Sequence, residues 1–129
     1  MHRSRLSTIL IDCAESDFDA GVAFWSAALG REAIPEEGNP RYASLRGRIG
    51  GEGGPYVTLQ RVPAAERSIH LDIESDDVEA EVARLAKLGA RIKRRFPDYV
   101  VLTAPSGHAF CVVPKARGDF PGDAATWYE

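Results

Sequence analysis

Two stretches of this chain carry one pattern. Ile9-Leu10-Ile11-Asp12-Cys13 reads alongside Ile69-His70-Leu71-Asp72-Ile73, Glu15-Ser16-Asp17 alongside Glu74-Ser75-Asp76, and Gly30 alongside Gly89. One residue is gained or lost between the copies. A strand-then-helix unit repeated in so short a chain points to two copies of one small module. Two unrelated βα units would look alike only by chance, and the shared spacing favours duplication. A ligand site is expected where two such copies meet.

The length of 129 residues suits one domain able to bury an ordinary core. A content of 44% apolar and 27% charged residues is that of a globular protein in water. The net charge of −3 is mild, and the basic residues form no stripe apart from Arg91-Ile92-Lys93-Arg94-Arg95. That run follows a helix and reads as a solvated strand edge rather than a nucleic-acid patch. Met1 to Asp12 lacks the apolar run of a secretory signal, and no segment has the length of a membrane span. A cytoplasmic protein without nucleic-acid or membrane partners is expected. Cys13 and Cys111 are too few for a disulfide framework. Both sit in apolar runs, where a thiol behaves as a small hydrophobe.

Alternating apolar residues predict a strand over Ser7–Cys13. Asp17 is placed to cap a helix running to about Leu29, with Val22, Trp25 and Leu29 on one face and Gly30 ending it. Glu32 to Pro40 holds two prolines, a glycine and an asparagine, so it contains a loop. Strands are expected over Arg41–Arg46 and Tyr56–Val62. Between them, Gly47 to Pro55 is either a long turn or a mobile flap, the turn being favoured. The second copy starts at Ser68. Asp76 with Glu79 resembles a capping box. Val78, Val82, Leu85 and Leu88 repeat at helical spacing before Gly89. Strands follow near Ala90–Lys93, Tyr99–Thr103 and Ala109–Val113, the last two joined by a turn at Pro105-Ser106-Gly107-His108. The tail 115–129 is polar until Trp127 and Tyr128, which dock on the body or on a partner chain.

Each copy therefore reads strand, helix, then two or three strands. The expected fold is α+β: two tandem βαβββ modules, about 6–63 and 67–114, forming a curved, cup-shaped mixed sheet with helices on its outer face. Alternation assigns Ile9, Ile11, Cys13, Ile69, Leu71 and Ile73 to the helix side, with Val57, Leu59, Phe110 and Val112. The cup side receives Thr8, Leu10, Asp12, Thr58, Gln60, His70, Asp72, Glu74, Ala109, Cys111 and Val113. A one-residue slip would exchange the two sets. Carboxylates on an inner face cost free energy unless paired, hydrogen-bonded or wet, which favours a solvated ligand cavity. The alternative places Asp12 and Asp72 at strand ends, idle in solvent.

The arrangement resembles the vicinal oxygen chelate superfamily, which includes glyoxalase I, bleomycin- and fosfomycin-resistance proteins and extradiol dioxygenases. The resemblance rests on Asp17-Phe18-Asp19-Ala20-Gly21-Val22-Ala23-Phe24-Trp25 with Leu29-Gly30, and on Ile69-His70-Leu71-Asp72-Ile73 with Asp77-Val78-Glu79-Ala80 and Leu88-Gly89-Ala90. Ala104-Pro105-Ser106-Gly107-His108-Ala109-Phe110-Cys111-Val112-Val113 closes it. It covers roughly residues 6 to 114 and looks most like the glyoxalase-like subgroup. In the superfamily's metal enzymes the ligands lie on the first and last strand of each module. The matching positions are Leu10, Gln60, His70 and Cys111. Leu10 cannot bind a metal, and Cys111 replaces the usual glutamate, so no ordinary glyoxalase or dioxygenase site is expected. A soft site of His70 and Cys111 with Gln60, holding zinc, is the residual possibility. The resemblance also implies a homodimer.

Three roles follow. A metal-free protein binds a small organic molecule, an antibiotic or aromatic ligand among them, using Leu10, Asp12, Trp25, Tyr42, Gln60, His70, Tyr99 and Cys111. Trp25, Tyr42, Tyr56, Phe96 and Tyr99 are its candidate walls, Tyr42 and Tyr99 occupying matching places in the two copies. Alternatively, a lyase- or isomerase-type enzyme uses His70 as general base or acid, tuned by Asp72 or Asp12. The third role is an interaction module whose edge strands and Trp127-Tyr128 tail meet a partner.

Overall fold

The computed structural model describes residues 1–115, 120 and 124–128. Among them are nine strands and two α-helices: β1 (His2–Ala14), α1 (Phe18–Leu29), β2 (Ala33–Pro35), β3 (Tyr42–Leu45), β4 (Tyr56–Val62), β5 (Ser68–Ser75), α2 (Val78–Lys87), β6 (Arg91–Arg95), β7 (Val100–Thr103), β8 (Ala109–Pro114) and β9 (Ala125–Trp127). The order βαβββ occurs twice, as the repeat requires, and the fold is α+β. The backbone forms two compact units, Thr8–His70 and Met1–Ser7 with Leu71–Glu129. No helix among the described residues is long and apolar enough to cross a membrane.

In the Thr8–His70 unit, β1 runs parallel to β4, Thr8 opposite Tyr56 through Ala14 opposite Val62. β3 pairs antiparallel with β4, and β2 with β3. Cys13, Phe18, Ala43, Leu45, Val57 and Leu59 form the buried core, and Ile9, Ile11, Val22 and Trp25 pack on it. Burying one such leucine contributes roughly 1.5–3 kcal/mol. The predicted register therefore holds here: Ile9, Ile11, Cys13, Val57 and Leu59 share the side covered by α1. Gly21 lets α1 approach the sheet, because a Cβ there would stand 3.1 Å from Cys13 Sγ. Gly30 ends the helix at φ 65°, a left-handed turn that its missing Cβ permits.

Several expectations are corrected in this unit. Leu29 is exposed, and Phe18 takes the buried place on the helix face. Asp17 stands at the N-cap position without a side-chain capping bond. The expected loop after Glu32 includes β2, where Pro35 is tolerated because β2 ends the strand order. The glycine-rich segment is an anchored turn: Ile49 packs on the core, its N–H donates to Pro55, and Arg48 donates to the Gly54 carbonyl.

In the other unit, β5 runs parallel to β8, which continues antiparallel to β7 and then β6. Val82, Val100, Leu102 and Val112 form its core, with Val78, Leu85 and Phe110 packed against it. α2 lies on β8. The helix is capped by Asp77, whose carboxylate accepts from Ala80 N at 3.0 Å. Asp76, the expected cap, instead accepts from the Arg3 backbone N–H at 2.8 Å. Leu88 lies outside the packed face, with two thirds of its surface exposed. Ile69 and Leu71, expected on the helix side core, are 61% and 42% exposed. Leu71 stands outside the apolar cluster that α2 makes with β7 and β8.

The C-terminal aromatics divide. Trp127 docks on the body as part of β9, antiparallel to the start of β1. Tyr128 is exposed.

Candidate functional site

On the sheet face of the Thr8–His70 unit that points away from α1, polar side chains from four strands join. Because Ile11 and Cys13 face the helix, Asp12 faces the other way, and the same alternation sends Thr58 and Gln60 of β4 and Tyr42 and Ser44 of β3 to that side. Asp12 is buried, and one of its carboxylate oxygens lies 2.6 Å from His70 Nδ1. His70 keeps 20% of its side chain exposed, against 6% for Asp12. Asp12 is acceptor-only when ionised, so the short contact places a proton on Nδ1.

The Gln60 amide continues the chain. Its orientation is assigned from its neighbours: the nitrogen donates to the second Asp12 oxygen at 3.0 Å, and the oxygen accepts from Tyr42 Oη and Arg41 Nη2, each at 3.2 Å. Ser44 Oγ and Thr58 Oγ1 bond to each other at 2.9 Å beside it. Leu10, buried and apolar, lies two residues before Asp12 on the same strand face.

The other expected site residues lie as follows. Of the two carboxylates expected beside His70, Asp12 takes the Nδ1 hydrogen bond. Asp72 lies two residues beyond His70 on β5, in register with Cys111 of β8, and the ligand atoms of Asp72 and Cys111 lie within 4.8 Å of each other. Trp25 is a correction: it packs into the core under α1 and meets Phe24 edge-on, so it is no wall of the polar face. Tyr56 is exposed beneath the Arg48 guanidinium. Tyr99 stacks on Phe96 at 4.5 Å, just before β7. Cys13, on the helix side, has its thiol pushed up by burial and by the charges of Asp12 and Asp17, which makes it a poor nucleophile.

A concavity of about 290 Å³ lies on the helix side of the same unit, lined by Phe18, Val22, Ala33, Pro35 and Arg61 among others. Its charged lining, Asp19 and Arg61, is an ion pair at 3.6 Å. It offers apolar wall rather than acid–base chemistry.

Arg41 was not among the expected site residues. Its charge lies in a loop, and only the folded register of β3 against β4 brings it to Gln60. The model of the glyoxalase-like domain matches residues 8–113. The chain belongs to the glyoxalase-like domain family. It is thereby a member of the vicinal oxygen chelate superfamily, and solved structures agree. A methylmalonyl-CoA epimerase in complex with methylmalonyl-CoA and NH4+ is 25% identical, with 92% of this chain and 99% of that chain covered and a TM-score of 0.65. A variant of the Streptomyces coelicolor methylmalonyl-CoA epimerase in complex with 2-nitronate-propionyl-CoA is 24% identical over 91% and 98%, TM-score 0.63. The Mycobacterium tuberculosis methylmalonyl-CoA epimerase is 20% identical over 87% and 88%, TM-score 0.60. No curated protein sequence matches.

This glyoxalase-like chain departs from the superfamily's metal pattern in its own donors. Leu10 has none. The Gln60 amide is engaged by Asp12, Tyr42 and Arg41, and His70 Nδ1 by Asp12. Cys111 brings soft sulfur. Those four positions do not fit a hard divalent ion, which wants several free oxygen or imidazole donors.

Proposed function

We propose that this protein binds a small oxygenated organic molecule on the polar sheet face of its Thr8–His70 unit and moves a proton on it with His70. The observation that carries this reading is the 2.6 Å contact from His70 Nδ1 to Asp12, on an imidazole that keeps 20% of its side chain exposed. Asp12 holds the imidazole in one tautomer and stabilises the imidazolium formed when Nε2 takes a proton. A carbon acid next to a carbonyl suits such a base. The C–H bond breaks as the Nε2–H bond forms, the electron pair passes to the carbonyl oxygen as an enolate, and the proton returns to the same or a neighbouring carbon. That is isomerase- or epimerase-type chemistry, which agrees with the names of the relatives. Leu10 and Tyr42 supply wall contacts to the ligand.

The test is deuterium uptake. Acyl thioesters and 2-substituted carboxylic acids, incubated with protein in deuterated water, are expected to exchange at the carbon next to the carbonyl, and His70→Gln is expected to abolish it. Exchange undiminished in His70→Gln overturns the role of His70. If no compound exchanges but one raises the melting temperature, the face binds without turnover, as an antibiotic-sequestering protein would. Neither exchange nor binding across a broad panel overturns the reading.

A zinc-dependent second reading is favoured by one observation, the closeness of Asp72 and Cys111. Both are able to ligate zinc. Metal analysis of untagged protein separates the two, since retained zinc supports the second. The same reading takes the chain as a single domain working as a cytoplasmic homodimer, with no nucleic-acid or membrane partner. The mild charge and the family resemblance support it, and sizing measures the dimer.

A further inference from the structure

We infer that Gln60 is a positioning residue: clamped by Arg41 and Tyr42, its amide fixes the orientation of Asp12 and through it the tautomer of His70. The inference goes beyond the assignment of His70 and Asp12 to proton transfer and rests on that assignment only for its catalytic consequence.

The argument is one of donors and acceptors. A guanidinium has donors and no acceptor, so the 3.2 Å contact of Arg41 Nη2 must be made to the Gln60 oxygen. Tyr42 Oη, at the same distance, then donates to that oxygen as well. The amide nitrogen is thereby directed to Asp12, at 3.0 Å. With the amide reversed, its NH2 would face the Arg41 donors and its oxygen would face a carboxylate oxygen. Both contacts would be repulsive, in surroundings where Asp12 is almost fully withdrawn from water.

One Asp12 oxygen thus holds an amide N–H, which opposes rotation of the carboxylate. The other oxygen is left facing His70 Nδ1. Each step has only one polarity, and the sequence of constraints ends at the ring nitrogen that must carry the proton for Nε2 to act as a base. A position that the superfamily's metal enzymes use for a ligand here serves as a brace. The backbone supports the clamp. Tyr42 and Gln60 are register partners on β3 and β4, and the Arg61 N–H donates to the Arg41 carbonyl at 2.8 Å.

The test reads the tautomer directly. In protein labelled with nitrogen-15 at histidine, the two ring-nitrogen shifts of His70 distinguish Nδ1–H from Nε2–H at neutral pH. Wild type is expected to be predominantly Nδ1–H. Gln60→Leu, close to isosteric and without donors, is expected to show a mixture with substantial Nε2–H. The pair Arg41→Met with Tyr42→Phe is expected to do the same by freeing the amide to flip. Arg41→Lys retains a donor-only group and is expected to restore the wild-type ratio. A purely structural role would lower the melting temperature and leave the ring shifts unchanged. That result in folded Gln60→Leu, or in the double variant should Gln60→Leu fail to fold, overturns the inference. Failure of deuterium exchange in wild type with the tautomer shifts as expected would remove the catalytic reading and leave this one standing.

Discussion

Two histidine–carboxylate pairs among the described residues are built from the same chemistry to different ends. His70 and Asp12 lie 2.6 Å apart with the imidazole 20% exposed. His2 Nε2 and Glu81 lie 2.9 Å apart with exposures of 1% and 0%. The first carboxylate has a single basic side chain on one oxygen and an amide on the other. The second is saturated: Arg84 reaches both Glu81 oxygens at 2.6 and 3.0 Å, and Ser4 hydrogen-bonds to it. Trp127 Nε1 in turn donates to Ser4, and the Arg84 guanidinium lies 3.7 Å from the Trp127 ring. A saturated, sealed carboxylate fastens β1, α2 and β9 together. A partly exposed pair is the one the proposed function assigns to a ligand. Exposure of the imidazole and the number of competing donors, rather than the His–carboxylate distance, separate the clamp from the proposed site.

The strongest way to break this contrast is to change each carboxylate to its amide. Asp12→Asn is expected to favour the wrong tautomer of His70 and lower turnover about 10²–10⁴-fold, with the melting temperature little changed. Glu81→Gln is expected to do the reverse, costing about 3–5 kcal/mol by removing the buried charge that holds the partly exposed Arg84 and the buried His2, with the remaining folded fraction fully active. Deuterium exchange and urea melts on the same samples measure both. Equal effects of the two variants on turnover would erase the distinction.

The pH dependence sharpens it next. Burial alone would push the Glu81 carboxyl up, but hydrogen bonds from Arg84, Ser4 and His2 outweigh it and hold the group at about 2, well below its ordinary 4.5. The folded state therefore gains stability from Glu81 above about 4.5. The gain is lost progressively as pH falls towards 2, because the unfolded chain takes up the proton first. Denaturant midpoints measured from pH 6 down to 2.5 are expected to fall less steeply in Glu81→Gln than in wild type. Parallel curves would show that Glu81 does not carry this part of the acid sensitivity.

Much of this was legible in the residues themselves. The repeat exposed both βα starts, and alternation placed Asp12 and Gln60 on the face away from α1. Asp12 and His70 were each recognisable as site candidates. Their specific pairing joins strands fifty-eight positions apart, so it stayed open between Asp12 and Asp72 until the strands had a register. The clamp at His2 was invisible for the same reason, since nothing local to Met1-His2-Arg3 marks a buried imidazole. The misplaced residues share a cause. Leu29, Leu88, Ile69 and Leu71 follow apolar periodicity, but periodicity gives a face and not the extent of what covers it. Leu71 stands outside the cluster that α2 makes with β7 and β8, and Trp25, on the apolar face of α1, packs against the core.

A smaller effect tests how the tail shares in the clamp. Trp127→Phe keeps an aromatic ring under Arg84 but removes the indole N–H that bonds Ser4, and is expected to cost about 0.5–1.5 kcal/mol. Trp127→Ala also loses the cation–π contact and should cost more. Neither should alter exchange at the His70 site. A tail that merely lay on the surface would leave both melts at the wild-type value.

The smallest expected effect concerns Cys13, which shares a strand with Asp12 but faces the other way. Burial, then the Asp12 and Asp17 charges, push its thiol up, and α1 covers it at Gly21. Alkylation at neutral pH is expected to leave Cys13 unmodified in the native protein and to reach it only on unfolding. Asp12→Asn removes one of the two negative charges but not the burial, so protection should persist with only a slight gain in reactivity. Rapid native labelling of Cys13 would mean that α1 does not seal that side of β1. The face assignment that sends Asp12 to His70 would then lose its basis, because both depend on one alternation along the strand.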